Sequence, residues 1–275
     1  MQSLDLIVPF PWFLNKSMDF MVNDQLVKAR ITGSEWTDHW RPFLARIVEL
    51  HRHHPKRLMV ALVGAPGSGK SVLAEQLYWL SNKGFIPSCR VAALPMDGFQ
   101  YSLEYLSAHS VTQADGSRIL LRELKGSPET FDAQLLREHL ERLRAHEETT
   151  YWPGYSRITH DPVPDMYRIH ETDNLIIVEG NYLLIDREPF TGIRNYFDLS
   201  IFLEAPPISI MANLMERHLT GGKTVDEAKE WVKRIDLPNA RLVEISRDHA
   251  DVVIQRDRQD DFRAIFWRKE VTPDP

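Results

Sequence analysis

Apolar residues come in short blocks whose period changes along the chain. Between residues 17 and 33, short alternating stretches flank the polar tripeptide Asn23-Asp24-Gln25, which predicts a hairpin. Trp36, Trp40, Phe43, Leu44, Ile47 and Val48 then fall at helical spacing. They predict a helix over 36–50 with one face turned to a core and a stop at Pro55. Ahead of both, Leu6–Leu14 is apolar, but it holds two prolines, lacks a basic lead-in and follows Asp5. It reads as a segment packed on the body, not as a signal peptide.

From residue 57 the pattern becomes apolar strands alternating with amphipathic helices. The expected strands are Leu58–Val63, Cys89–Leu94, Leu175–Val178, Leu199–Leu203 and Asp251–Ile254. Helical stretches lie near 70–82, 131–145, 207–220 and 224–235, with a further short helix over Pro238–Ile245. Fully apolar strands separated by helices predict an α/β fold, a mostly parallel sheet covered on both faces. The section 100–165 is poor in strand pattern and rich in turn residues, as expected of an insertion that encloses a substrate. The chain thus divides into an N-terminal extension over 1–55 and one domain over 56–275.

Composition narrows the field. With 275 residues, 43% hydrophobic and 26% charged, the chain can bury a core without disulfide or metal staples. Its one cysteine, Cys89, forms no internal disulfide, excludes a cysteine-based zinc site and points to the reducing cytoplasm; no activating partner is evident, so no redox role is assigned. A net charge of -6 argues against nonspecific nucleic-acid binding, and no apolar run is long enough to span a membrane. His51, His53 and His54 read as polar groups at a helix C-terminus; no carboxylate or cysteine cluster accompanies them to make a metal set. Trp36, Trp40, Trp79 and Trp231 stand in apolar helical patterns and are expected in the core.

The sharpest chemical signal is Gly64-Ala65-Pro66-Gly67-Ser68-Gly69-Lys70-Ser71, a match to G-x-x-x-x-G-K-[ST]. An apolar strand runs into it and a helix with Val72, Leu73, Leu77 and Leu80 runs out. Glycines let the backbone curl around an anion, and the helix N-terminus aims N–H groups at phosphate oxygens. Lys70 would place a charge on the β- and γ-phosphates, and the Ser71 hydroxyl would ligate Mg2+. A P-loop NTPase fold of three layers, α/β/α, is the expected architecture.

Two acids belong with this loop. Asp97, in Pro95-Met96-Asp97-Gly98-Phe99, follows a strand, and ligands of open parallel sheets lie beyond the strands' carboxyl ends. Its carboxylate there could take a proton from an attacking hydroxyl or hold a metal. Glu179 ends the apolar strand that precedes Gly180-Asn181-Tyr182, the position of a second Mg2+-organising carboxylate.

Together, Gly64–Ser71, Asp97-Gly98-Phe99 and Val178-Glu179-Gly180 resemble the phosphoribulokinase, uridine kinase and pantothenate kinase superfamily. The resemblance is strongest to a bacterial group of nucleoside/nucleotide kinase-like, or fructose-transport-kinase-like, proteins. Lys125-Gly126-Ser127-Pro128-Glu129-Thr130-Phe131-Asp132, Tyr155-Ser156-Arg157, Asp161-Pro162-Val163-Pro164, Arg217-His218 and Asp236-Leu237-Pro238-Asn239 follow in the expected order. The resemblance spans about residues 56 to 256. It implies a small-molecule kinase that uses ATP and Mg2+, with Asp97 as catalytic base and Glu179 assisting the metal. Arg217 would sit on a lid over about 207–235, hinged at Gly221-Gly222, and neutralise charge on the transferred group. Tyr155, Arg157 and Asn239 match positions near the acceptor, and relatives suggest a homodimer. Arg157 stands where pantothenate kinase has a histidine, so the acceptor is left open among a sugar, a nucleoside and a pantothenate-like compound. Lys125, His160, Asp161 and Arg168 could face an acidic or sugar substrate.

Other phosphate-loop classes fit less well. A GTPase needs N-K-x-D, and both Asn15-Lys16-Ser17-Met18 and Asn82-Lys83-Gly84-Phe85 fail at the last position. A transport ATPase would carry L-S-G-G-Q, which is absent. A nucleotide-binding regulatory protein with weak or no turnover is the remaining alternative.

Overall fold

The computed structural model describes residues 9–268 apart from 23, 55, 114, 147–148 and 260. Strands β1 (Met18–Val22) and β2 (Gln25–Ala29) form the expected hairpin, with Asp24 in the left-handed region at φ 64°. Thr32 caps a short helix α1 (Gly33–Glu35), which passes through a π segment (Trp36–Trp40) into α2 (Arg41–Arg52). The expected helix is therefore one helical run with a π bulge that buries both tryptophans. Of the apolar N-terminal segment, residues 6–8 lie outside the described residues, as does Pro55. Phe13 is fully buried, edge-on to Trp36, Trp79 and Phe85, so the described residues 9–14 are anchored on the body through Phe13, while Phe10 stays exposed.

Next come β3 (Leu58–Val63), α3 (Lys70–Asn82), β4 (Val91–Pro95) and α4 (Leu103–Ala108). A small ribbon of β5 (Ser110–Thr112) and β6 (Arg118–Leu120) precedes α5 (Ala133–Ala145) and the long hairpin β7 (Thr149–Ser156)–β8 (Asp161–His170). Strands β9 (Leu175–Gly180) and β10 (Leu199–Glu204) follow. Then come α6 (Pro207–Thr220), α7 (Val225–Trp231), α8 (Leu237–Ile245), β11 (Val252–Arg256) and β12 (Phe262–Trp267).

The main sheet has the order β12-β11-β10-β3-β9-β4, parallel except for the antiparallel edge strand β12. Strand side chains alternate between faces. Leu58, Val60 and Leu62 of β3 meet α2, α3 and the N-terminal segment on one face. Met59, Ala61 and Val63 meet Leu136, Leu140, Trp152 and Tyr182 on the other. Both faces are covered, which explains the uninterrupted apolar strands. This is the expected three-layer α/β/α fold.

Three expectations need correction. The section 100–165 is not poor in strands, because it carries β5, β6, β7 and the first half of β8. Pro153-Gly154 in β7, at a register shift, and Pro162 and Pro164 in β8 read as turn residues, yet they sit in a hairpin exempt from a full ladder. The edge strand β12 lies past the last strand read from the pattern. Trp231 is half-buried outside both core clusters, with Lys223 and Arg234 over its ring. Among the described residues, no helix is long and apolar enough to cross a membrane.

Candidate active site

The carboxyl ends of β3, β9 and β4 converge. Register places Glu179 of β9 beside Leu62 of β3 and Pro95 of β4. From β3 the chain enters the Gly64–Gly69 loop, and Gly69 stands at φ 89° as the N-cap of α3. The left-handed backbone conformation there favours glycine, and a Cβ would also have to displace the Arg256 guanidinium, 2.5 Å away. Lys70 is buried, and its Nζ curls back to donate to the Ala65 carbonyl at 3.1 Å. The Ser71 hydroxyl donates to Oε1 of Glu179 at 2.7 Å.

Asp97 follows β4 in a 3-10 turn, Met96–Phe99. A Cβ on Gly98 would collide with the Pro153 backbone, so the Asp-Gly pair is what lets the β7–β8 hairpin press against this turn. The indole of Trp152 fixes that contact by donating to the Pro95 carbonyl at 2.8 Å. The hairpin in turn brings Arg157 to 3.9 Å from Asp97. From α6, Arg217 is held by Asp236 at 3.0 Å, and the same carboxylate binds His218 at 2.6 Å. Asn213 of α6 donates to the Gly67 carbonyl at 2.9 Å, tying this helix to the loop.

Burial shapes the charges. Desolvation pulls the Lys70 ammonium down, while Glu179 and Asp97 hold it up. Burial pushes Glu179 up to about 7 against the pull of Lys70. Glu75, one turn beyond Ser71, is likewise pushed up to about 7 by burial and by Glu179. Lys125 is brought down to about 8 by burial; its Nζ donates to the His160 carbonyl at 2.6 Å and lies 5.4 Å from the Tyr155 ring centre. Burial lowers Lys223 and raises Tyr155. Cys89, buried and pushed up to about 12 by desolvation, is kept a neutral thiol.

Lys70, Ser71, Asp97, Arg157, Glu179 and Arg217 line one cleft of about 840 Å³. Tyr155 lies in the electrostatic reach of Asp97, Arg157 and Arg217, just outside that lining. Lys125, His160 and Asp161 gather near it, whereas Arg168 is exposed farther along β8. Asn239 is buried at the start of α8, three positions from Asp236, and is not among the residues lining the cleft. Sequence reasoning did not single out Arg256, Gln76 and Asn213, which line the cleft, or Lys223, which lies outside that lining near Asp236 and Arg217, and it assigned no chemistry to the hairpin whose β2 strand also lines the cleft. Arg256 carried a usable signal, because it ends a parallel strand on the side where ligands lie.

The residues fit a nucleotide triphosphate with a divalent cation. The glycine cradle admits backbone approach, and Lys70 is held over it. Ser71 and Glu179 offer two oxygens, and Mg2+ commonly takes one or two protein ligands with phosphates and waters completing the set. Among the described residues, no group of three or more His, Cys, Asp or Glu could form an all-protein metal cage.

Comparison with known proteins bears on the family and the fold. The model of the phosphoribulokinase / uridine kinase family matches residues 59–263. The uncharacterized protein YggC of Escherichia coli is 33% identical over 240 residues, covering 86% of this chain and 94% of that protein. A pantothenate kinase of Lacticaseibacillus casei is 28% identical over 63% of this chain and 53% of its own length. A D-glycerate 3-kinase from Cryptococcus neoformans shares the fold, with a TM-score of 0.64 at 15% identity, over 83% of this chain and 97% of that one.

Proposed function

Because this chain belongs to the phosphoribulokinase / uridine kinase family, we propose that it transfers the γ-phosphate of ATP to a hydroxyl group of a small metabolite. The observation that carries this reading is the gathering of Lys70, Asp97, Glu179 and Arg217 around one cleft at the strand ends. Bound Mg2+-ATP supplies the phosphoryl group and much of the charge neutralisation. The protein's task is positioning and electrostatics. Gly64–Ser71 cradles the phosphates, with Lys70 as the fixed cation. Ser71 and Glu179 would hold the metal. Asp97 accepts the proton of the attacking hydroxyl, and Arg217 brings positive charge from the lid while helping to exclude water.

The acceptor end favours an anionic metabolite. Lys125 and Lys223 have no carboxylate within ion-pairing distance among the described residues, and Arg157 meets Asp97 only at 3.9 Å. A carboxylate or phosphate on the acceptor would meet these cations, with Tyr155 beside them and Asn239 toward the lid. In this reading residues 1–55 form an extension to a kinase domain over 56–275, with the acceptor-covering section at about 100–165 and the lid at about 207–235. It places the protein in the cytoplasm as a homodimer, which size-exclusion chromatography would check.

The test is ATP consumption against a panel of hydroxy acids, sugar phosphates, neutral sugars, nucleosides and pantothenate. Acceptor-stimulated turnover with an anionic member is expected. Tight ATP binding with no acceptor-stimulated turnover would favour the regulatory alternative.

A further inference from the structure

The family match begins at residue 59 and leaves the N-terminal hairpin outside it. Register puts Met18, Phe20 and Val22 on one face of the hairpin with their partners Ala29, Val27 and Gln25. This face packs toward α3, where Phe20 lies edge-on to Trp79 at 6.5 Å. On the opposite face Asp19, Met21, Leu26 and Lys28 are exposed; Leu26 and Lys28 also border the cleft, whereas Asp19 and Met21 do not.

The hairpin runs along the cleft. At its turn end, Val22 shares a small recess with Ser71, Glu75, Tyr167 and Glu179. At its other end, Arg30 pairs with Asp261 at 3.6 Å, beside Gln259 and Arg256. Between these ends, Gln25, Val27 and Ala29 face the same space as Val72 and Gln76 of α3. A triphosphate anchored on Lys70 and Ser71 has Asp97 and Arg157 on its acceptor side. Its nucleoside half must then extend the other way, into the space between β2, α3 and the β11–β12 turn. The cleft volume of about 840 Å³ suits a ligand of nucleotide size.

Gln76 adds an independent observation. It is 3% exposed and lines this space, and its Oε1 accepts no hydrogen bond from any described residue. A buried carbonyl oxygen without a donor is rare and costly. A turn of the buried Gln76 side chain toward the cleft would bring that oxygen to ribose hydroxyls or the exocyclic amine of a purine, donors of the kind it lacks.

We propose that the N-terminal hairpin and Gln76 form the nucleoside-binding wall of the nucleotide site, so that a segment outside the matched kinase core sets nucleotide affinity and base preference. The proposal rests on the nucleotide-binding reading above. The wall is fixed, not loose. Glu35, just after the hairpin, accepts from the Trp40 indole and from the Phe262 backbone N–H, both at 3.0 Å, and Trp40 stacks on Phe262 at 4.6 Å.

The test is calorimetric titration of the intact protein with Mg2+-ATP, Mg2+-GTP and inorganic tripolyphosphate. Gln76→Leu should weaken ATP binding about five- to tenfold, the worth of one hydrogen bond to a buried group, and change the ATP/GTP ratio. Ala29→Trp should weaken ATP binding at least about tenfold by filling the space. Neither should alter tripolyphosphate binding, and Met21→Ala on the exposed face should bind ATP like wild type. Unchanged ATP affinity and base preference in Gln76→Leu would overturn the proposal and leave the kinase reading intact. An equal loss for tripolyphosphate would overturn it too, by tracing the effect to the phosphate loop. A wild-type protein that binds no nucleotide would remove the kinase reading itself.

Discussion

The hydroxyl of Ser71 donates to Oε1 of Glu179 at 2.7 Å, joining the first turn of α3 to the end of β9. In the proposed reading these two oxygens, beside a buried Lys70, would hold the divalent cation between phosphate and protein. Glu179→Gln should preserve the hydrogen bond and remove the charge. Turnover should fall at least about a hundredfold, with the Mg2+ concentration for half-maximal rate raised. Steady-state rates across a Mg2+ titration measure both; an unchanged Mg2+ dependence would remove Glu179 from the metal site.

Asp97 stands at the strand end, 35% exposed and free to meet an acceptor. Asp97→Asn keeps its size and loses its basicity. Turnover should drop about a thousandfold or more while ATP affinity stays within about twofold. Binding calorimetry beside rate measurement separates the two effects, and near-normal turnover would refute the role of base.

Glu75 and Glu179 both sit at about 7 in the folded chain, against 4.5 for an ordinary glutamate. Between those values the folded protein binds more protons than the unfolded one. The nucleotide-free protein should therefore lose stability as pH rises from about 4.5 through about 7, with no further loss from these groups above that. Glu75→Gln removes one of the two and should flatten the slope. Thermal unfolding followed by circular dichroism between pH 5 and 8.5 reads this directly, and parallel curves for the two proteins would contradict it.

Asp236 holds Arg217 at 3.0 Å and His218 at 2.6 Å. Asp236→Asn should leave Arg217 poorly aimed, lowering kcat about tenfold or more with little change in KM for ATP. A rise in KM for ATP with kcat intact would assign Arg217 to ground-state binding instead.

Lys125 crosses from its own loop to the His160 carbonyl and the Tyr155 ring. Lys125→Gln should raise KM for an anionic acceptor about tenfold, with KM for ATP unchanged. Equal effects on both substrates would show a general disturbance of the β7–β8 hairpin.

The parts of the site legible in the sequence are those whose chemistry is local. The glycine loop lies within eight consecutive residues, Asp97 announces itself just past an apolar strand and Glu179 near the end of another. What stayed hidden depends on distant contacts. The β7–β8 hairpin is written in prolines and a Pro153-Gly154 step, so its residues imitate turns. Gln76 lies within an ordinary amphipathic helix, and only the cleft shared with the hairpin makes it a lining residue. Trp231 follows an apolar helical pattern, yet Lys223 and Arg234 cover its ring outside the core. No periodicity distinguishes a tryptophan capped by cations from one packed on leucines.

The bond from the Phe262 backbone to Glu35 joins positions 227 apart. It has a meaning for synthesis. A growing chain completes its phosphate loop early, but the hairpin side of the cleft is braced only after the last strand has emerged. On the nucleoside-wall proposal, that wall is completed only with the sheet, and a chain cut short before β12 would keep the phosphate loop residues without this brace.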